Sequence, residues 1–458
     1  MALFDSADRR PVHFVGIGGA GMSALALIAC RRGVMVTGCD AEPGGAADLA
    51  ALGVPVFAGH DPAHVDGARA VVFTAAVSRE HPELVRARAV GVPAVARKLA
   101  LAELLAGRRT LGVSGTHGKT TTTVMATEAL AALGAEPTGL AGGRVAAWGG
   151  NARIAGDGLF VVEADEYDRA FLAMQPTVAI VNNVEPDHLE CYGNVAALEA
   201  AFVEFAARAE VAFIGADDPG AQRVRAALGD RAIAFGFGDG ADIRIRDVRQ
   251  SAGETAARVT FPGTGPVTLR LQVPGVHNLR NAVGALAAAL HFAPADPAPA
   301  LEALRAFGGV GRRFERLGEF AGIAIVDDYA HHPSELAATL AAARQAFPGR
   351  RLVAVFQPHL FSRTQQHGRA MGEALARADL VIVTEIYGAR EAPIEGVSGR
   401  QVVDAALRAG ADARFEADRP AVGRRVLELI RPGDVVLTLG AGDITRVGPE
   451  LVRWLQAA

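Results

Sequence analysis

Lysine is rare in this chain. Of 46 Lys and Arg residues only two are lysines, Lys98 and Lys119. Lys119 falls in GVSGTHGKTTTT, residues 112–123, between a short apolar run (TLGV) and an Ala/Leu-rich run of helical period. A strand, a glycine-rich turn and a helix N-terminus surround an anion with backbone N–H groups. In that setting a lysine reaches the β and γ phosphates of a nucleotide, and the next Thr or Ser ligates Mg2+. Lys119 and Thr120 have those types in that order, and Gly115, Thr116, His117, Gly118 and Thr121 would complete the cradle. Arg is a broad planar fork, whereas Lys is a compact charge on a thin stem. A chain that prefers Arg thus keeps a lysine where a loop must close on a terminal phosphate. The spacing departs from the usual phosphate loop at its first glycine, where Val113 stands; the glycines here are Gly112, Gly115 and Gly118.

Two other apolar runs end in polar residues. LFVVEADEYD brings Glu163, Asp165 and Glu166 to a strand end, where a phosphate loop needs a Mg2+ ligand. Glu163 is first in line; a solvated acidic turn is the plainer alternative. TVAIVNNVEPDHLECYG ends in Asn183, Glu185, Asp187 and His188. His188 is a candidate second metal or phosphate ligand, or a structural histidine. GVHNLRNAVGALAAAL carries Asn278 and Asn281 one helical turn apart, and their amides can read an adenine edge or cap the helix.

A second glycine turn lies near the start. PVHFVGIGGAGMSALALIACRRGVMVTGCD reads as strand, turn (Gly16, Gly18, Gly19, Gly21), helix and strand, then Asp40. Such a turn receives a diphosphate, and an acid about 20 residues on meets a ribose hydroxyl. NAD, another nucleotide diphosphate such as a UDP-sugar, and a turn needed only for packing all fit.

These residues need α/β scaffolding. Runs such as VVFTAAV, LFVVEAD, TVAIVNNV, RLVAVFQP and DVVLTLGAG alternate with helical stretches, which predicts parallel sheets throughout. The 458 residues, half of them hydrophobic, suffice for three domains. The expected boundaries are 1–106, an N-terminal Rossmann-like domain; 107–311, a central P-loop ATPase-like domain with a mostly parallel sheet; and 312–458, a C-terminal Rossmann-like α/β domain. Glycine-rich FGGVGRRFE before the third is the expected hinge for its closure. A net charge of −4 and a pI near 6.3 give no basic footprint for nucleic acid. The three cysteines, Cys30, Cys39 and Cys191, make no C-x-x-C and read as reduced thiols in a cytoplasmic protein. No secretory signal is read at the N-terminus, and no apolar run is long enough to insert in a membrane.

In this order, GTHGKTTT, EADEYD, NNVEPDH, GVHNLRNA, GRRFE, DDYAHHPSE and GAGDI resemble the Mur ligases of bacterial peptidoglycan synthesis over nearly the whole chain. GTHGKT, GIGGAGMS, FQPHLFSRT and EIYGAREAPI resemble its alanine-adding branch. The branch that attaches recycled murein tripeptide is the alternative; it shares EADEYD and YAHHP but carries EPRS where QPHL stands here. The resemblance implies ATP and Mg2+, with L-alanine joined to the lactyl carboxylate of UDP-N-acetylmuramate through an acyl phosphate. It implies a monomer or weak homodimer.

The same resemblance assigns residues. UDP-sugar contacts fall to Gly18, Gly19, Ala20, Gly21, Asp40, His60 and Ser78. Lys119, Arg313 and His188 become the catalytic set, with Thr120, Glu163 and His188 at the metal. Asn183, Asn278, Asn281, Asp328 and His331 join the phosphate loop and Arg313 at ATP. Tyr329 and His331 lie near the amino acid. The carboxylate of L-alanine needs a cation, and His359 and Arg363 in FQPHLFSRT are the candidates; Arg363 can grip it with two parallel hydrogen bonds. Several sister ligases use a carbamylated lysine at the metal. No lysine follows Lys119 here, in keeping with the alanine-adding branch.

Overall fold

The computed structural model describes residues 3–263, 265–389 and 391–457. Backbone contacts divide the chain into two compact units. One comprises Met1–Val248, Ala257–Arg270 and Leu279–Phe307; the other comprises Arg249–Ala256, Leu271–Asn278 and Gly308–Ala458.

The first unit holds two sheets. In the smaller, strand Val12–Val15 lies between Val36–Asp40 and Ala70–Phe73, with Val56–Ala58 and Ala94–Ala96 outside them, all parallel. The chain leaves Val12–Val15 to one side and returns on the other, so a crevice opens at the C-terminal end of this strand. The glycine turn sits there, and helix Ala20–Arg31 follows it.

The larger sheet carries the phosphate loop. Val178–Val181, Arg109–Ser114 and Leu159–Glu163 are adjacent and parallel at its centre. Their apolar side chains are buried on both faces, as expected for strands that read as unbroken hydrophobic runs. Because the three run the same way, their C-terminal ends open on one edge. That shared edge gathers GTHGKT, Glu163 and Asn183, which are remote in sequence. Gly112 belongs to the packing of this sheet: a Cβ there would lie 2.9 Å from Cζ of Phe205, a ring stacked on Phe171 at 5.1 Å. Val113 is likewise a buried strand residue. The missing first glycine therefore reflects a strand that continues to Ser114 before the loop begins. Bidentate bonds from Arg144 to Asp48, and a bond from Lys98 to Asp168, tie the two sheets' segments together within the unit.

The second unit contains a six-stranded sheet in the order Glu315–Phe320, Ile323–Asp328, Val435–Leu439, Leu352–Phe356, Leu380–Thr384, Ala413–Glu416. Its strands are parallel except the first, which pairs antiparallel with the second. The larger sheet of the first unit has a similar exception, Gly150–Arg153 against Pro137–Val145. Parallel strands throughout was thus too strong an expectation. The cause is local: Ala321 and Gly322, at φ 49° and 74°, make a two-residue turn, which can join only antiparallel strands. Among the described residues no helix is long and apolar enough to cross a membrane.

Candidate active site

In the first unit, strand Arg109–Ser114 ends in the glycine loop and helix Lys119–Ala132 starts directly after Gly118. Gly118 has φ 80°, and a Cβ there would come within 2.5 Å of Asn281 Oδ1. Gly115, at φ 132°, abuts Asn182 and Asn183, with a Cβ 3.0 Å from the nearest atom. Both glycines are imposed by handedness and by close approach. Thr120 and Thr121 are buried in the first helical turn.

Lys119 Nζ donates to both carboxylate oxygens of Glu166, at 2.9 and 2.8 Å, and to the Gly115 carbonyl at 2.7 Å. Burial opposes its charge, but Glu166, Asp165 and Glu163 outweigh burial and lift its pKa above the usual lysine value. Burial likewise raises the pKa of Glu166, against the pull of Lys119. Glu163 closes its strand and accepts from the Gly142 N–H. Asn183 holds the loop from behind: its Oδ1 accepts from the His117 N–H at 2.8 Å, and its own carbonyl accepts from Thr116 N. Thr116 Oγ1 accepts from Glu185 N at 2.8 Å, and the His117 ring lies 3.6 Å from the Glu185 carboxylate. Asn281 stands against Gly118, whereas Asn278 donates to the Pro274 carbonyl at 2.7 Å, near the start of their helix. His188 takes a left-handed backbone, φ 52°, with its ring edge-on to Tyr167 and Nδ1 3.5 Å from Glu190. Its hydrogen bond lowers the pKa of Glu190.

At the other glycine turn, Asp40 accepts from Gly18 N and from Glu42 N, each at 2.9 Å. Gly19 caps helix Ala20–Arg31, whose first N–H groups, Ala20 and Gly21 among them, have no partner within the helix. A Cβ on Gly21 would lie 2.8 Å from Nη1 of Arg97, a cation beside the turn that no motif marked. Ser78 Oγ accepts from Glu80 N within its own turn. His60 Nδ1 lies 3.2 Å from Sγ of Cys39, the residue before Asp40.

In the second unit, Asp328 ends strand Ile323–Asp328 and accepts from Phe314 N and Ala330 N at 2.7 and 2.8 Å. Burial pushes its pKa up to about 6, against the pull of Arg313. Arg313 and its neighbour Arg312 both lie over the Tyr329 ring, at 5.1 and 4.7 Å. Glu335 accepts from the backbone N–H of His331 and His332 and stands 3.8 Å from Arg313. Arg312 and Glu335 escaped the sequence reading because neither stands out in its motif. Tyr329, His331 and His359 form a chain of edge-on rings at 5.3 and 6.1 Å, and Arg363 Nη1 is 3.3 Å from His359 Nδ1. The four residues expected at the amino acid are therefore neighbours, and Arg363 is buried.

Three family descriptions match the chain: Mur ligase family, catalytic domain, at residues 11–109; Mur ligase middle domain at 113–289; and Mur ligase, glutamate ligase domain, at 312–442. The chain belongs to the Mur ligase family. Among curated relatives, UDP-N-acetylmuramate–L-alanine ligase of Cutibacterium acnes is 44% identical, with 100% of this chain and 98% of that protein covered. The protein of the same name from Kineococcus radiotolerans is 45% identical, with 97% and 96% covered. Among solved structures, UDP-N-acetylmuramate-alanine ligase MurC from Thermotoga maritima superposes with a TM-score of 0.85 at 33% identity, covering 98% of this chain and 99% of that one. A murein peptide ligase from Psychrobacter arcticus gives 0.74 at 25% identity, covering 98% and 99%. Mur ligases are ATP-dependent, which suits a lysine-bearing phosphate loop.

Proposed function

We propose that the chain is an ATP-dependent ligase that joins L-alanine to the lactyl carboxylate of UDP-N-acetylmuramate in peptidoglycan precursor synthesis, acting in the cytoplasm. The observation that carries this reading is full-length likeness to relatives of that name at 44–45% identity. The recycling ligase for murein tripeptide resembles the chain less, in structure and in identity. The domain boundaries 1–106, 107–311 and 312–458 go with this reading.

A carboxylate and an amine do not condense unaided in water. The lactyl carboxylate first attacks the γ-phosphorus of ATP, and ADP leaves with an acyl phosphate formed. The amine of L-alanine then adds to the acyl carbon and loses a proton, and inorganic phosphate departs as the amide forms. Such transfer depends on positioning and charge stabilisation more than on covalent work by the protein. Lys119 supplies the positive charge at the β and γ phosphates, and exchanges Glu166 for phosphate oxygens when ATP enters. Arg313, which lies over the Tyr329 ring, is the second cation. Gly18 to Gly21 hold the UDP diphosphate, with Asp40, His60 and Ser78 toward uridine, and Arg97 adds charge there. Arg363, with His359 behind it, takes the carboxylate of L-alanine; Tyr329 and His331 line the same place.

Mg2+ fits the first unit. Three carboxylates act on the single ammonium of Lys119, an excess of negative charge that a hard divalent cation would neutralise. Thr120, Glu163 and His188 would hold it, and when bound it shields the charge of the phosphates. The chain is taken to work as a monomer or weak homodimer.

The test is ATP-dependent phosphate release with UDP-N-acetylmuramate, with L-alanine or tripeptide as the amine. Release that needs L-alanine bears the reading out. Release with tripeptide alone makes the chain a recycling ligase, and no release with either amine refutes ligation.

A further inference from the structure

A cluster of side chains that ligation does not use lies behind the strand that ends in Asp40. His13 comes from strand Val12–Val15, Cys39 from Val36–Asp40, His64 from the turn Pro62–Val65, and Glu83 from the first turn of helix Pro82–Ala89. Each offers one ligand atom, and these four atoms lie within 4.8 Å of one another. His13, Cys39 and Glu83 have no exposed surface, and His64 is mostly covered. We propose that His13, Cys39, His64 and Glu83 form a structural binding site for a divalent transition-metal ion of the zinc class.

The spacing suits a small tetrahedral ion. Glu83 carboxylate oxygens lie 3.3 Å from His13 Nε2, 3.0 Å from His64 Nδ1 and 3.1 Å from Cys39 Sγ. Bonds of about 2.0–2.3 Å to N, O and S set ligand separations of roughly 3.3–3.6 Å in a tetrahedron; with the four ligand atoms within 4.8 Å of one another, side-chain shifts of about an ångström draw them onto the ion. One thiolate, two imidazoles and one carboxylate are a donor set for zinc rather than for magnesium or calcium. Charge closes as well. A dication with Cys39 thiolate, Glu83 carboxylate and two neutral imidazoles sums to zero, as a buried site requires. On binding, the ion displaces the Cys39 thiol proton, which leaves to solvent.

Surrounding groups already aim the ligands. The other ring nitrogen of His13 is 2.9 Å from Thr37 Oγ1, which turns Nε2 inward. His64 stacks on Phe57 at 4.4 Å, and Glu83 Oε1 also accepts from Asp61 N. A second, independent feature is a reserve of imidazole at the rim. His60 Nδ1 stands 3.2 Å from Cys39 Sγ, and His81 packs edge-on to His60 with both ring nitrogens buried and without a hydrogen-bond partner among the described residues. Four protein ligands leave no open position, so the role is structural. The ion would join two strands, a turn and a helix end one residue from Asp40.

The full chain, stripped with chelator and free of nucleotide, is titrated with Zn2+ against a competing indicator, and separately with Co2+ while the absorption spectrum is followed. The expected result is one tight equivalent, a thiolate-to-cobalt charge-transfer band, and a rise in melting temperature with zinc. Cys39→Ser should abolish the band, and His64→Gln, at the more exposed ligand, should weaken zinc binding about tenfold or more. Cys30→Ser should leave binding unchanged. Zinc binding that Cys39→Ser and His64→Gln leave intact, a cobalt spectrum without a thiolate band, or no stoichiometric binding would each overturn the site. If Cys39→Ser does not fold, His64→Gln and the wild-type cobalt spectrum still decide.

Discussion

The first unit contains two cradles built on one plan, strand, glycine turn and helix N-terminus, and they differ in what faces the anion. At the first, a carboxylate faces the turn: Asp40 accepts from the Gly18 N–H. At the second, an ammonium does: Lys119 lies over its own loop, held by Glu166. A phosphate that is only held can be met by backbone N–H groups with a cation at the rim, as Arg97 stands beside Gly21, and an acid beside them can serve a sugar hydroxyl. A phosphate that leaves with its electrons rearranged needs a mobile positive charge as well. The backbone is also harder pressed at the second. Gly118 is left-handed and touches Asn281, whereas Gly19, the equivalent cap, has φ −67° and room for a Cβ at 3.4 Å.

The sharpest way to break this contrast is Lys119→Ala, which should lower kcat/KM by roughly 10²–10³-fold while the protein stays folded. Lys119→Arg keeps the charge but should still fall below about a tenth of wild type, a loss above about 1.4 kcal/mol. Near-normal turnover of the arginine variant would mean that compactness is not what the loop selects.

Asp328 extends the comparison to the second unit, since it braces two backbone N–H groups as Asp40 does but is buried. Its folded pKa, about 6, exceeds the ordinary 3.8, so the folded state holds the proton more tightly than the unfolded chain. That contribution is present in full below the unfolded value and is lost as pH rises through about 6. The unfolding free energy of wild type relative to Asp328→Asn should therefore fall by about 2 kcal/mol from about pH 4 to about pH 7. Parallel denaturant profiles for the two proteins across that range would show that burial does not govern this carboxyl.

Next in size is the backbone. Gly118→Ala should cost about 1–3 kcal/mol of stability, and Gly19→Ala less than about 1, read from denaturant midpoints. Equal costs would erase the difference in strain. The smallest expected effect is at the first cradle itself. Asp40→Asn should raise KM for UDP-N-acetylmuramate about tenfold, through weaker charge-assisted bonding, and leave KM for ATP unchanged. A rise in both would mean that Asp40 braces the unit as a whole.

What could be read in the sequence was what lies close together along it. Lys119, Thr120 and the glycines occupy one loop, so residue type and spacing announced their setting. Sheet order was legible only in part: alternation gave the parallel core, but not the hairpin at Ala321–Gly322, where an alanine takes a conformation usually left to glycine or asparagine. Partnerships between distant residues were hidden. Glu166 read as a spare acid behind Glu163, yet it is the one that grips Lys119. Asn183 read as an ATP contact, and in the fold its side chain holds the His117 N–H. Arg97 lies 76 residues beyond Gly21 and shares no motif with it. His13, Cys39, His64 and Glu83 sit on four elements whose meeting only the fold reveals.

The scarcity of lysine also has a use at the bench. An acylating reagent meets two side-chain amines in this chain. Lys98 is about a third exposed and tied to Asp168, while Lys119 is mostly covered and kept protonated by three carboxylates. Labelling at Lys119 therefore waits on its parting from Glu166. The rate at which that single amine reacts becomes a clock for the opening of the phosphate loop, readable by mass with no tag or engineered probe.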